Sequence, residues 1–229
     1  MLVSIIIPCL NEASGIHFFL SQLQRFRSDC ELILVDGGSN DKTVLIAEPL
    51  VDHCIHSHPG RAIQMNAGAD VAQAPVLMFL HADTFLPEDA LSQIAYAIDS
   101  GHQWGRFDVQ LMGDHILLPI ISALMNFRSG LTHIATGDQT LFVDKALFYK
   151  VGRFPEISLM EDIALSKTLK GTAKPYRINS RVETSARRWM QFGVIKTVLL
   201  MWWCRLQYFF GIDPAYLQRL YLRGQFWIR

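Results

Sequence analysis

Short apolar runs alternate with amphipathic stretches through the first hundred residues. Leu2 to Pro8, Glu31 to Asp36, Asp52 to His56 and Val76 to Leu80 are compact runs bounded by turn residues. Runs of that kind read as buried strands of a parallel sheet. Helical spacing fills the gaps. Ser14 to Arg25 carries Ile16, Phe19, Leu20 and Leu23 on one face, and Asp41 suits an N-cap for a helix to about Glu48. Pro59-Gly60 turns the chain into a helix from about Arg61 to Ala72, and Pro87 starts one that stops at Gly101. Such alternation predicts a mostly parallel sheet with covering helices.

After Gly101 the pattern changes. Arg106 to Leu111 reads as a strand and His115 to Arg128 as an apolar helix. Polar Ala135 to Gln139 precedes a strand, Thr140 to Val143, and a short helix, Lys145 to Val151. Glu161 to Lys170 is a further helix, Pro175 to Thr184 holds one or two strands, and Met190 to Phe210 is long, apolar and aromatic. No repeat or low-complexity linker interrupts the chain.

The strand ends carry the candidate chemistry, because ligands of open α/β sheets bind beyond the carboxyl ends of the strands. Val76 to Leu80 stops at His81-Ala82-Asp83. Asp83 can hold a divalent metal that in turn holds phosphates, or it begins the turn into the helix opened by Glu88 and Asp89. Asp36, followed by Gly37-Gly38-Ser39, can bond a base or ribose or form a plain Asp-Gly turn. Gly60-Arg61 offers a helix N-terminus and a guanidinium to a phosphate; an arginine in a first turn is also ordinary surface. Glu161-Asp162 supplies carboxylates, or is the acidic first turn that a helix dipole favours. Asp138 lines an acceptor site or belongs to a turn. His53, His56 and His58 read as exposed or satisfied histidines.

Composition narrows this picture. With 229 residues, half of them hydrophobic, the chain suits one large α/β domain. Its net charge of zero hides an asymmetry. Residues 1–170 hold 11 Lys+Arg against 19 Asp+Glu, and residues 171–229 hold 10 against 2. An acidic part suited to a metal thus precedes a basic part suited to anions or to a solvated face. Cys9, Cys30, Cys54 and Cys204 lie too far apart for a zinc motif or a disulfide framework. The N-terminal apolar run lacks a basic region and is too short for a signal peptide, so a cytoplasmic protein is expected.

Taken in series, Ser4-Ile5-Ile6-Ile7-Pro8-Cys9-Leu10-Asn11-Glu12, Val35-Asp36-Gly37-Gly38-Ser39-Asn40-Asp41 and Phe79-Leu80-His81-Ala82-Asp83 resemble glycosyltransferase family 2. Gly137-Asp138-Gln139, Met160-Glu161-Asp162 and Arg187-Arg188-Trp189 continue the pattern in family order. The segments Gly60–Ala69 and His81–Thr84 look like a short bacterial subgroup, some of whose members carry the name arsenosugar-biosynthesis glycosyltransferase. The resemblance implies a GT-A fold, a Rossmann-like mixed, mostly parallel sheet flanked by helices. The expected division is 1–189 for that domain and 190–229 for a helical, aromatic and basic extension.

The resemblance also implies an inverting transfer of a sugar from a nucleotide-diphosphate donor to an acceptor hydroxyl. Pro8, Glu12, Asp36, Arg61 and Asp83 would surround the donor. Asp83 matches the last aspartate of the family's metal motif and His81 stands where its first aspartate belongs, with Mn²⁺ or Mg²⁺ as the expected cofactor. Asp162 would be the catalytic base, with Glu161 pointing elsewhere. Asp138, Gln139, Glu161, Arg188 and Trp189 would lie on the acceptor side, and Ser185 replaces the glutamine often seen ahead of the Arg-Trp pair. A nucleotidyltransferase should carry a glycine-rich phosphate loop near the N-terminus, which Pro8 to Gly15 lacks. A non-catalytic nucleotide-binding module leaves Asp83, Asp162 and the basic tail unlinked. Nucleic acid is not among the expected partners.

Gln191 to Phe210 approaches the length of a bilayer span, but Lys196 and Arg205 would each cost about 2.5–3.5 kcal/mol at a membrane centre. The segment is therefore expected to rest on an anionic membrane, on the inner face of the cell membrane and near a lipid-linked acceptor. The alternative is a helix buried against Ile116 to Phe127 or across a homodimer.

Overall fold

The computed structural model describes residues 2–227; Met1, and Ile228 and Arg229 of the expected extension, lie outside the described residues. The strands are β1 (Val3–Cys9), β2 (Cys30–Asp36), β3 (His53–His56), β4 (Val76–Phe79), β5 (Thr84–Phe85), β6 (Trp104–Met112), β7 (Leu141–Asp144) and β8 (Tyr176–Ser185). The helices are α1 (Ile16–Leu23), α2 (Thr43–Ala47), α3 (Arg61–Val71), α4 (Ala90–Asp99), α5 (Leu118–Thr132), α6 (Lys145–Lys150), α7 (Glu161–Thr172), α8 (Arg187–Phe192), α9 (Val194–Phe209) and α10 (Pro214–Arg223).

One eight-stranded sheet runs in the order β3-β2-β1-β4-β7-β6-β8-β5. β3, β2, β1 and β4 are mutually parallel, β7 is antiparallel to β4 and β6, and β8 runs parallel to β6. Side chains alternate across the central strands, as a pleat requires. Val3, Ile5, Ile7, Leu32 and Leu34 face one core cluster, while Ile6, Ile33 and Val35 face the other. Burial on both faces is why these strands read as unbroken apolar runs. Gly68 lets α3 lie close on the sheet, since a Cβ there would come within 2.4 Å of the Ile6 side chain. A smaller third cluster joins Met160 to Leu200, Cys204, Leu217 and Leu220 and fastens α9 and α10 to the start of α7.

Several elements differ from the sequence pattern. The helix expected from Pro87 begins at Ala90, because Ala90 N–H closes a turn on the Pro87 carbonyl. α5 starts after a similar turn at His115 and runs beyond Arg128 to a left-handed His133. Pro175 to Thr184 yields one strand, bulged opposite Phe107 and Asp108. The two-residue β5 has no periodicity to announce it; it follows Asp83 and pairs with β8, the Thr84 and Thr184 hydroxyls meeting at 2.8 Å. Met190 to Phe210 is two helices rather than one, because Gly193 at φ 87° breaks the ladder.

Candidate active site

The carboxyl ends of β1, β2 and β4 are pinned together before any site residue is placed. The Gln64 amide of α3 donates to the Cys9 and Val35 carbonyls at 2.8 Å each. Gly37 passes directly over that amide, which a Cβ would meet at a tight 3.0 Å. The two loops beyond are stitched to each other. Asn11 N–H donates to Ser39 Oγ at 2.8 Å, Asn11 Oδ1 accepts from Asn40 N–H at 2.9 Å, and Glu12 N–H donates to Thr43 Oγ1 at 2.8 Å. Asp36 is buried below this loop and accepts from Gly38 and Ser39 N–H at 3.0 Å. Burial would raise its pKa, but these bonds outweigh it and lower it.

Above these ends lies a cavity of about 720 Å³. Pro8 and Glu12 from the β1 end, Arg61 from the start of α3, and His81 and Asp83 from the β4 end line one side. Arg187, Arg188 and Trp189 of α8, Thr197 and Met201 of α9, and Gln218 and Tyr221 of α10 line the other. A smaller chamber of about 80 Å³ shares Arg61, His81, Asp138, Glu161 and Tyr221 with it and adds Asp162 and Arg205. Thr136–Gly137–Asp138 and Met160–Asp162 build this chamber. Each segment borders a non-glycine residue at positive φ, Thr140 at 47° and Met160 at 71°. Such backbone persists only where surrounding packing imposes it, and it clusters at functional sites. Gly137 abuts the His81 ring, where a Cβ would come within 2.5 Å.

Acidic groups crowd Arg61 here. Burial raises the Asp83 pKa against the opposing pull of Arg61 and Arg187. Burial pushes Asp138 up to about 6 and, with the Asp162 charge added, Glu161 up to about 7. Arg61 answers them: burial would lower its pKa, yet Glu161, Tyr221, Asp138 and Asp162 raise it. Burial, reinforced by Arg61, pushes His81 down to about 3, so its imidazole is neutral. The Asp162 carboxylate is held in place by Gly137 N–H at 2.8 Å and Ile163 N–H at 2.7 Å. Opposite, the Arg188 guanidinium stacks on Tyr221 at 3.5 Å, and its buried Nε and Nη2 have no hydrogen-bond acceptor among the described residues.

Residues 4–146 match the family described as Glycosyl transferase family 2. The chain belongs to glycosyltransferase family 2. It is 32% identical over 192 residues to the PGL/p-HBAD biosynthesis glycosyltransferase of Mycobacterium bovis, covering 78% of this chain and 64% of that protein. The chain thus spans just under two-thirds of the length of the curated relatives it matches. Its fold superposes with TM-score 0.66 on residues 1–349 of Staphylococcus aureus TarS in complex with UDP, at 16% identity, covering 97% of this chain and 71% of that one. It superposes with TM-score 0.59 on glucosyl-3-phosphoglycerate synthase from Mycobacterium tuberculosis in complex with Mn²⁺, UDP and glucosyl-3-phosphoglycerate, at 16% identity, covering 79% and 70%. The mixed, mostly parallel sheet is that of the GT-A glycosyltransferases.

Against this family-2 background the expected residues divide. Pro8, Glu12, Arg61, Asp83, Asp138, Glu161, Arg188 and Trp189 share the larger cavity. Asp36 stands below it, occupied with the loop. Gln139, expected on the acceptor side, lines neither cavity. It is fully buried, its Oε1 accepting from Thr136 N–H and its Nε2 donating to Asn126 Oδ1, both at 3.3 Å, so it serves the turn. Glu161 does not point away from Asp162 either: both line the small chamber, and Glu161 alone reaches the larger cavity. The left-handed Met160 starts α7 so that its first two side chains open into one space. Arg187, Arg205 and Tyr221 were not singled out by sequence reasoning. Arg187 adjoins a recognisable Arg-Trp pair; Tyr221 and Arg205 lie on amphipathic helices with no local mark of function.

The residues fit a divalent ion only in part. Among the described residues no three His, Cys, Asp or Glu side chains converge on one point. Asp83 is a half-buried carboxylate that lines the larger cavity together with the neutral imidazole of His81. The Asp83 oxygens suit Mn²⁺ or Mg²⁺ only when diphosphate oxygens complete the shell.

Proposed function

We propose that this chain transfers a sugar from a nucleotide-diphosphate donor to an acceptor hydroxyl, with inversion. The single observation that carries the reading is the shared cavity in which Asp83 and Arg61 face Arg187 and Arg188 across space of donor size, in a chain of family 2. The donor's base lies over the loop that Asp36 holds, and its diphosphate lies between Arg61 and Arg188. Asp83 would hold a divalent ion, which when bound offsets charge on the leaving diphosphate.

The chain's own groups do the rest. Arg61, at a helix N-terminus, and Arg188, stacked on Tyr221, fix the leaving group and stabilise the charge it gains. Asp162, oriented by two N–H donors, takes the proton of the attacking hydroxyl, which contributes roughly 10²–10⁴-fold. Asp162 lines the smaller chamber, which shares Arg61, His81 and Asp138 with the donor cavity, and a base there suits attack by the acceptor with inversion. Asp138 and Trp189 border the acceptor. Among the described residues no helix is long and apolar enough to cross a membrane, and α9 works at a membrane surface.

Thermal shift with UDP, GDP, TDP and ADP, each with and without Mn²⁺, tests the reading. One nucleoside diphosphate should stabilise the protein in a metal-dependent way. Absence of stabilisation by any of them would refute donor binding.

A further inference from the structure

Two neighbouring helices leave their outward faces uncovered. On α5, Ile120, Leu124, Phe127 and Leu131 are exposed at helical spacing. On α9, Ile195, Leu199, Trp202, Leu206 and Phe209 repeat the pattern, Phe209 at 82% exposure and Trp202 at 62%. Leu117 and Ile121 pack on the same core cluster as Val198 and Met201, and the two helices approach where the Arg205 charge reaches Arg128, adding to burial in bringing it down to about 10. An apolar face of this extent marks an interaction surface.

Charge and composition select its occupant. Residues 115–134 contain no Asp or Glu, and residues 184–227 contain only Asp213. Lys196, Arg219 and Arg223 are all exposed. A second copy seated on this face would bring like charges together, whereas anionic headgroups complement them. The aromatics suit headgroup depth. Trp203 already donates its indole N–H to the Phe226 carbonyl at 2.9 Å, so its ring can leave water without losing a hydrogen bond.

We propose that α5 and α9 together form a two-helix face that lies in the headgroup region of an anionic membrane. Thr197 and Met201, on the inner side of α9, line the cavity. Docking therefore brings the cavity to within about one helix diameter, ~10 Å, of the bilayer. The inference extends the surface reading of α9 to α5 and stands apart from the transfer chemistry.

The test is co-sedimentation of the full chain with phosphatidylcholine vesicles, with and without phosphatidylglycerol, at low and high salt and without nucleotide. Wild type should pellet with the anionic vesicles and less so at high salt. Leu124→Glu/Phe127→Glu on α5 and Leu199→Glu/Trp202→Glu on α9 should each lower the partition roughly tenfold or more, through lost apolar contact. Circular-dichroism melting of both should match wild type, because the replaced side chains are exposed. Tryptophan emission of the wild type should shift to the blue with anionic vesicles. Wild type left in the supernatant throughout would overturn the proposal, as would a stable dimer that the same substitutions dissociate. Full binding by the α5 variant would overturn the two-helix face. Since no nucleotide enters, failure here leaves the donor reading untouched, and failure of the thermal shift leaves this one untouched.

Discussion

The two walls of the cavity are built by different means. One wall is acidic and grows from strand ends and helix starts: Asp83 after β4, Asp138 in its turn, Glu161 and Asp162 opening α7. The other is basic and aromatic and comes from α8 to α10, with Arg187, Arg188, Trp189 and Tyr221. The acidic wall rests mainly on the sheet and its two core clusters, with the start of α7 also held through Met160 in the small cluster. The basic wall rests on Trp189 and Val194 in the main core and on the small cluster around Met160. Chemistry that needs accuracy belongs on the first, and groups that hold a flexible diphosphate can be carried by the second.

The comparison breaks first at Asp83. If the acidic wall carries the chemistry, Asp83→Ala should lower turnover by on the order of 10³-fold, the scale of losing a main electrostatic stabiliser. Release of nucleoside diphosphate measures it, and melting should stay native-like. Near wild-type turnover in a folded variant would remove the ion from Asp83.

Asp162→Asn comes next. The substitution keeps the shape and cannot accept a proton, so turnover should fall by about 10²-fold or more while nucleotide stabilisation persists. Glu161→Gln is the necessary control, because Glu161 opens into the larger cavity and is pushed up to about 7. Should Glu161→Gln be inactive and Asp162→Asn active, the base would be Glu161.

The walls were not equally legible in the sequence. A buried parallel strand is a short apolar run, and the polar residue that ends it marks the ligand side, so Asp83 and the β1 end could be placed from local pattern alone. Asp36 could be placed at its strand end, but not its engagement with Gly38 and Ser39, which depends on how the loop turns. Asp162 was found through its motif. The shared opening of Glu161 and Asp162 was not, because it follows from one left-handed residue, Met160. Gln139 stood in a recognisable motif and turned out to hold a turn. Tyr221 and Arg205 are brought in by tertiary packing across long sequence separations. Nothing in the spacing of an amphipathic helix separates a cavity residue from a packing one.

A milder break targets the basic wall. Arg188→Ala should raise the donor KM roughly tenfold, the value of one charge-assisted contact. Arg188→Lys should recover little, because an ammonium cannot stack flat on Tyr221 or present a planar fork. Steady-state kinetics over a range of donor concentration decides it. Equal KM for all three proteins would take Arg188 away from the donor.

The smallest effect concerns the cost of crowding carboxylates on the acidic wall. Asp138 is pushed up to about 6 by burial, above the ~3.9 of an unfolded aspartate. Between those values the folded protein keeps a proton that the unfolded chain has released, so stability falls as pH rises through that window. Above about 6 the loss is complete and constant; below about 4 it is absent. Glu161 acts in the same sense up to about 7. Asp138→Asn removes its share of this dependence. Without nucleotide or metal, the variant should melt above wild type at about pH 8 and close to it at about pH 4, by a modest margin because the Asp138 side chain is 35% exposed. Thermal denaturation at the two pH values reads the difference. An offset of equal size at both would mean that the substitution acts through packing, and that the Asp138 charge costs the fold nothing.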